Sequence, residues 1–190
     1  GPSGTVNFLK TLENNVLEQL PYRNKSRDEY PTSEEIENIL KTVVADNSNI
    51  MRMFSLGKTH EGKDIWAIKI SDNPENDELE PEVKYIANMH GEEIVGRELM
   101  VLLIKEIALG YRILDSKIIN LVNNLEIFIV PSMNPDGADH ARRGNSRWVD
   151  LNRDFPDFTT RDNDNTPEGR QPETKAIMEF QAKRNFSLSA

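Results

Sequence analysis

The stretch KYIANMHGEEIVGRELM, residues 84–100, decides how the rest of the chain is interpreted. Its first half is an apolar segment of the kind that forms a buried strand, and its second half begins a helix. Between the halves lies His90, one of only three histidines in 190 residues, with Glu93 three positions later. At the carboxyl end of a strand, in the first turn of a helix, two such side chains can point the same way. The segment is therefore either an ordinary polar turn or part of a metal site.

The chemistry of this pair permits a metal but does not require one. Imidazole nitrogens and carboxylate oxygens both bind zinc, and catalytic zinc commonly has three protein ligands plus water. A single histidine beside a carboxylate is more often a hydrogen-bonded pair. The chain has no cysteine, so thiolate zinc sites, thiol nucleophiles and disulfides are excluded. HGEE alone is thus weak evidence, and other motifs must decide.

Upstream of this stretch the sequence predicts one helix and two strands. TSEEIENILKTVVA, residues 32–45, opens with a capping box of Thr32 and Glu35 and carries apolar residues at helical spacing. MRMFSL, residues 51–56, and DIWAIKIS, residues 64–71, are typical of strands. In the second strand both sets of alternating positions carry apolar residues, which indicates a strand covered on both faces.

Downstream, helices and strands alternate. Gly110 closes a strong predicted helix. The predicted elements are helices at 96–110, 113–124 and 173–183 and strands at 83–89, 125–133 and 185–190. This order predicts an α/β protein with a mixed, mostly parallel central sheet and helices on both faces.

Two domain assignments follow from the same reading. Residues 1–30 predict an N-terminal helical lead-in, and residues 31–190 predict one domain of ordinary size. A strand at 185–190 with nothing after it would leave a sheet edge exposed. We therefore expect the chain to be the front part of a longer domain, truncated before its last strands.

Charge and hydropathy exclude two classes of partner. The net charge is −9 and no basic block is interleaved with aromatic residues, so we expect no nucleic-acid partner. The longest apolar runs, MVLLI and IFIV, are far too short to cross a bilayer. We therefore expect a protein without a membrane span.

Two more motifs follow the strand at 125–133. NPDG, residues 134–137, favours a tight turn when taken alone. The polar segment after it gathers four guanidiniums within twelve residues, at positions 142, 143, 147 and 153. Arginine makes planar, bidentate contacts with carboxylates, so such a cluster in an acidic protein points to a carboxylate ligand. A solvated loop is the alternative.

Three motifs occur in the order HGEE, NPDG and DLNRDFP, each after a strand or in the loop beyond it. Together they resemble the motifs of the zinc metallocarboxypeptidases. The similarity is greatest to the branch that contains carboxypeptidases E, N, D and M. GKTHEGKDIWAIKIS is similar to an early hairpin of that family, and QPETKAIMEF to the helix before the strand with the last zinc ligand. The resemblance extends from about Pro31 to the final residue.

The resemblance implies a role for each site residue. His90 and Glu93 would be the first two zinc ligands. Arg143 would polarise the scissile carbonyl and stabilise its oxyanion. Asn152 and Arg153 would hold the terminal carboxylate of the substrate, a free peptide or protein C-terminus.

Other polar residues around these motifs receive secondary roles. Asp150 would accept a hydrogen bond from the second ring nitrogen of His90 and so set its tautomer. Glu92 is interpreted as a structural neighbour of the site rather than a general base. Arg142 and Arg147 compete for the arginine roles if the register of the loop differs. His60 is expected on the solvated surface and His140 near the substrate cleft, and neither is expected to bind the metal.

The resemblance also implies parts that these 190 residues lack. The third zinc ligand, a histidine, and the general base, a glutamate, are expected beyond residue 190, so the isolated chain is predicted to be inactive and metal-poor. The complete protein would be a zinc exopeptidase that removes single C-terminal residues, with Lys or Arg preferred in this branch, and would be secreted or periplasmic. The alternative is a non-catalytic module that binds peptide C-termini.

Overall fold

The computed structural model describes residues 29–160 and 164–190. The chain divides into two compact units, Gly1–Pro31 and Thr32–Ala190, and the second contains every element named below. The helix predicted within residues 1–30 lies outside the described residues. The proposed division into a lead-in and a catalytic part stays a prediction.

The second unit alternates helices with strands, as the sequence predicts. In chain order the elements are α1 (Ser33–Asp46), β1 (Met51–Lys58), β2 (Asp64–Ile70), β3 (Glu82–Ile86), α2 (Ile94–Arg112), α3 (Ser116–Val122), β4 (Glu126–Val130), α4 (Pro135–Asp139), α5 (Pro172–Ala182) and β5 (Phe186–Ser189). Short 3-10 turns occupy Leu151–Arg153 and Phe158–Thr160. Among the described helices, none combines the length and the apolar character that a bilayer crossing needs.

The strands form one mixed sheet in the order β1-β2-β4-β3-β5. β1 pairs with β2, and β2 with β4, antiparallel, whereas β3 pairs with both β4 and β5 in parallel. Because β3 and β4 are adjacent and parallel, their carboxyl ends meet at one edge, where α/β proteins place their ligands. HGEE follows β3 and NPDG follows β4, so the topology brings these two motifs together.

Helices cover both faces of this sheet, as predicted. Ile68 of β2 belongs to a core that includes residues of α1 and α2, whereas Ala67, its neighbour, belongs to a second core that includes residues of α5. The alternation along β2 therefore serves two cores, which explains why both of its faces are apolar.

Two local predictions differ from the structure. α2 does not close at Gly110 but continues to Arg112. A Cβ at Gly110 would lie 2.6 Å from Cγ1 of Ile118, so this glycine serves the close approach of α3 and not the end of the helix. NPDG does not form an isolated turn: Asn134 accepts a hydrogen bond from the N–H of Gly137 at 2.9 Å and caps α4.

Candidate active site

The turn after β3 is organised by a buried asparagine. Asn88 has φ of 58°, a left-handed conformation that asparagine tolerates better than most residues. Its side-chain amide donates to the carbonyls of His90 at 2.9 Å and of Glu93 at 3.2 Å, and its oxygen accepts from Oγ of Ser132 at 2.8 Å. The HGEE segment is therefore tied to the residues that follow β4.

The two predicted ligands face each other across this turn. Nδ1 of His90 lies 3.2 Å from Oε1 of Glu93, and Nε2 of His90 lies 3.2 Å from Oδ1 of Asp150. Two ligands of one tetrahedral zinc, each about 2.1 Å from the ion, lie roughly 3.4 Å apart. The observed separation fits two ligands of a single ion.

Asp150 is a hydrogen-bonding partner that favours one tautomer of His90. Partial desolvation by itself raises the pKa of Asp150, but hydrogen bonds from Nε of Arg143 and from the N–H of Asn152, both at 2.9 Å, outweigh it and hold the pKa below its usual value. An ionised Asp150 only accepts, so a ring protonated on Nε2 suits this contact. In that tautomer the lone pair of Nδ1 would be available to a cation shared with the carboxylate of Glu93.

Three glycines allow the segments of the site to touch backbone to backbone. A Cβ on Gly91 would lie 2.1 Å from the carbonyl carbon of Gly137, and one on Gly137 would lie 2.5 Å from the oxygen of Gly144. The N–H of Gly91 also donates to the carbonyl of Arg143 at 3.2 Å. The turn with His90, the helix α4 and the loop with Arg143 are therefore packed at distances that only glycine permits.

Asp136 connects the early hairpin to this site. Its carboxylate is fully buried and accepts from Oγ1 of Thr59 at 2.8 Å, while Nζ of Lys63 lies 3.3 Å away. The neighbouring Asn134, also fully buried, donates to the carbonyl of Met89 at 3.1 Å. NPDG thus contacts the hairpin on one side and the strand end that precedes His90 on the other. The sequence prediction of a tight turn did not include this connecting role.

A second buried carboxylate anchors the arginine loop. Asn145 accepts from the N–H groups of Arg147 and Val149 and donates to Oε2 of Glu173 at 3.1 Å. Burial raises the pKa of Glu173, in the first turn of α5. Sequence reasoning assigned neither Asn145 nor Glu173, although the QPETKAIMEF segment was recognised.

The structure brings together four of the six predicted site residues: His90, Glu93, Arg143 and Asp150. Besides its contact with Asp150, Arg143 has one amino group 3.8 Å from Oε1 of Glu93. The same group is 3.9 Å from Glu92, which lies at the border of the cluster.

The other two predicted site residues are next to the cluster in the chain. Asn152 and Arg153 are exposed in the 3-10 turn after Asp150, and Arg153 donates to the carbonyl of Asn152 at 3.0 Å. Their side chains have no contact with the His90–Glu93 pair within the ranges that the structure describes.

The remaining candidates lie outside the pair. His60 is 3.0 Å from Gln171, and His140 is 2.7 Å from Glu61. In the described part of the chain no third histidine, aspartate or glutamate completes a three-residue metal set with the pair. The described site thus offers two candidate metal ligands, His90 and Glu93.

A mixed α/β sheet that carries a histidine–glutamate pair and a guanidinium cluster beyond its strand ends has the architecture of a metallopeptidase. Residues 36–190 match the zinc carboxypeptidase family, and the chain belongs to that family. The resemblance drawn from HGEE, NPDG and DLNRDFP is thereby confirmed.

Curated relatives agree with this membership. The chain is 44% identical to carboxypeptidase SOL1 of Arabidopsis thaliana over 163 residues, covering 85% of this chain and 32% of that protein. It is 40% identical to carboxypeptidase M of Mus musculus over 171 residues, covering 85% and 38%. It is 41% identical to carboxypeptidase D of Homo sapiens over 166 residues, covering 82% of this chain and 12% of that protein. The chain therefore spans well under half the length of these relatives.

Solved structures share the fold. A metallo-carboxypeptidase from Burkholderia cenocepacia superposes with a TM-score of 0.68 at 24% identity, covering 84% of this chain and 40% of that one. The carboxypeptidase A of Helicoverpa armigera gives 0.67 at 24% identity, with coverages of 97% and 52%. The predicted mixed α/β carboxypeptidase fold is confirmed.

Proposed function

We propose that the full-length protein is a zinc-dependent exopeptidase that releases single C-terminal residues from peptides or proteins, and that residues 31–190 form the N-terminal portion of its catalytic domain. The observation that carries this proposal is the His90–Glu93 pair, whose ligand atoms face each other at 3.2 Å beside Arg143 and Asp150. A family whose members hydrolyse peptides supports the same reading.

Each site residue has a task in this proposal. His90 and Glu93 hold the zinc, and Asp150 keeps the proton of His90 on Nε2 so that Nδ1 stays free for the metal. Bound zinc would lower the pKa of a water molecule and supply hydroxide near neutral pH. Arg143 uses Nε for Asp150, and its terminal amino groups, one of which lies 3.8 Å from Oε1 of Glu93, would stabilise the developing charge on the scissile carbonyl oxygen.

Substrate selection falls to the turn after Asp150. Asn152 and Arg153 are exposed there and bind the free carboxylate of the substrate, Arg153 through a bidentate contact. In the full-length protein a histidine would complete the zinc ligands and a glutamate would accept the proton of water. Preference for a C-terminal Lys or Arg, and a secreted or periplasmic location, belong to the same proposal.

The first test uses the full-length protein and a matched pair of peptides, one with a free C-terminus and one amidated. We expect mass spectrometry to show stepwise loss of one residue from the free peptide only. Arg153→Ala is expected to raise KM roughly tenfold to a hundredfold, because an ionic hydrogen-bonded contact to the carboxylate is lost.

Arg147→Ala is the control on the same exposed loop, and its KM should equal that of the wild type. If Arg147→Ala raised KM and Arg153→Ala did not, the carboxylate contact would belong to Arg147 instead. Equal turnover of free and amidated peptides would contradict an exopeptidase, and tight binding of the free peptide without cleavage would identify the non-catalytic alternative.

The isolated 190-residue chain is expected to be inactive and to bind zinc weakly. Two protein ligands rarely hold zinc tightly, and His60 and His140 are engaged with Gln171 and Glu61. Zinc titration with a competing chelator checks this, with the full-length protein as reference. Zinc binding of equal strength in both would show that His90 and Glu93 are not part of a larger ligand set.

A further inference from the structure

Trp148 has a backbone conformation that bulky residues rarely adopt and an exposure that is unusual for its size. Its φ is 65°, in the left-handed region that bulky residues rarely occupy, and 76% of its surface is exposed. A large apolar side chain normally stabilises a protein by burial, and this one buries little. Backbone strain of this kind is found mainly at functional sites, where the surrounding structure maintains it.

A guanidinium lies against the exposed indole. The central carbon of the Arg142 guanidinium is 4.3 Å from the centroid of the Trp148 ring, within the range of a cation–π contact. Within residues 29–160 and 164–190, the contact with this ring is the one side-chain interaction found for Arg142, and its guanidinium forms no ion pair there. The pair therefore presents a flat aromatic surface with an unneutralised positive charge. We call Arg142 and Trp148 the rim pair.

The rim pair lies beside the proposed reaction centre. Arg142 directly precedes Arg143 in the chain. Trp148 comes two residues before Asp150, so the Cα atoms of Trp148 and Asp150 are at most about 7 Å apart. Arg143 and Asp150 are joined by a hydrogen bond of 2.9 Å, which closes the loop between them. The N–H of Trp148 donates to the carbonyl of Asn145 at 2.9 Å, and the fully buried Asn145 is itself anchored to Glu173. The ring is thus presented by an anchored loop.

Charge indicates which side chain suits this surface. The protein as a whole carries a net charge of −9, yet the loop from Arg142 to Arg153 carries four arginines and one aspartate. Asp150 is hydrogen-bonded to Arg143, so the charge that remains on the loop is positive. A carboxylate of a ligand would find complementary charge at Arg142, and the apolar stem of its side chain would pack on the indole.

We propose that the rim pair is a subsite for the peptide substrate, which binds an acidic side chain located one or two residues upstream of the bond that is cleaved. This inference rests on the proposed exopeptidase function. When the terminal residue occupies the site, the rest of the peptide must leave across the rim. An extended peptide covers about 7 Å in two residues, the distance that separates Trp148 from Asp150 along the loop.

The decisive variant is Trp148→Gly in the full-length protein, since glycine adopts a positive φ without strain. We expect Tm to rise by roughly 2–5 °C, because the strain is relieved and no core contact is lost. We expect KM for a peptide ending in Glu-Ala-Lys to rise about three- to tenfold with kcat unchanged, as for the loss of one stacking contact. Its partner peptide, ending in Gln-Ala-Lys, should bind the wild type less tightly and respond less to the substitution.

Leu114 offers a matched control. It has φ of 62° and is 75% exposed, but it lies at the end of α2, far along the chain from the site motifs. Leu114→Gly should raise Tm as Trp148→Gly does and leave KM for both peptides unchanged. Trp148→Tyr, which keeps the strain and an aromatic ring, should keep most of the preference for the acidic peptide. Arg142→Gln should remove that preference without raising Tm.

Binding without turnover separates this inference from the function on which it rests. Quenching of tryptophan fluorescence by the acidic peptide, present in the wild type and lost in Trp148→Gly, reports the rim contact even if no residue is released. If the wild type cleaves or binds both peptides and Trp148→Gly behaves identically, the subsite is refuted while the proposed function stands. If the wild type neither binds nor cleaves either peptide, the subsite and the proposed exopeptidase function are both refuted. A lower Tm for Trp148→Gly would assign the indole to the fold and overturn the subsite.

Discussion

Full-length protein carrying His90→Ala is expected to lose its zinc and its release of C-terminal residues together. Loss of a residue that merely orients a ligand already weakens metal binding about 10- to 100-fold, so loss of the ligand itself should weaken zinc binding by more than a hundredfold. The carboxylate of Glu93, 63% exposed, and the expected third ligand would remain, and two protein ligands rarely hold zinc tightly. Zinc per protein is measured by elemental analysis after dialysis, and residue release by mass spectrometry.

His140→Ala is the control for this experiment. His140 is an exposed histidine whose ring lies 2.7 Å from Glu61 and outside the described site cluster, so its removal should change neither zinc content nor turnover. Equal zinc in the wild type and in His90→Ala would refute the ligand assignment. Loss of zinc with unchanged peptide binding would instead favour a module that binds C-termini without using a metal.

Much of the architecture could be predicted because it depends on local patterns. The capping box of Thr32 and Glu35 fixed the start of α1, and both of its hydrogen bonds are present. The alternation within β2 indicated two covered faces, which the two cores bear out. The pairing of His90 with Glu93 was expected from helical spacing, but α2 begins only at Ile94, so the turn held by the side chain of Asn88, and not the helix, brings the two side chains together.

The parts that could not be predicted depend on close approach between distant segments. The composition of HGEE does not reveal that Gly91 touches the backbone of Gly137, because a glycine in a turn is ordinarily explained by its conformational freedom. Gly110 was wrongly predicted to end α2 for the same reason. Its lack of a Cβ allows α3 to approach closely, and α2 continues past it. Buried polar links such as Asn145 with Glu173 depend on tertiary packing, and sequence patterns carry no signal for their partners.

Gly91→Ala is expected to disrupt the site more than any change to a side chain around it, apart from the ligands. The added Cβ would lie 2.1 Å from the carbonyl carbon of Gly137 and 2.4 Å from the N of Ala138. Both are backbone atoms, so relief requires moving the turn after β3 away from α4. Overpacking in a well-packed interior commonly costs about 1–3 kcal/mol, and a clash with backbone belongs at the upper end. The free energy of unfolding, from urea denaturation of the full-length protein, should fall by about 3 kcal/mol.

Zinc binding should fall in the same variant, because the turn that would have to move carries His90 and donates the N–H of Gly91 to the carbonyl of Arg143. Gly96→Ala is the control within the same stretch of sequence. Its Cβ would lie 3.3 Å from the Cβ of Ala87, a contact that a small shift relieves, and alanine gains about 0.5–1 kcal/mol over glycine inside a helix. Gly96→Ala should therefore keep its stability within about 1 kcal/mol and its zinc. A Gly91→Ala protein with normal stability and normal zinc would mean that the turn, α4 and the arginine loop do not pack at these distances, and the facing geometry of His90 and Glu93 would lose its structural cause.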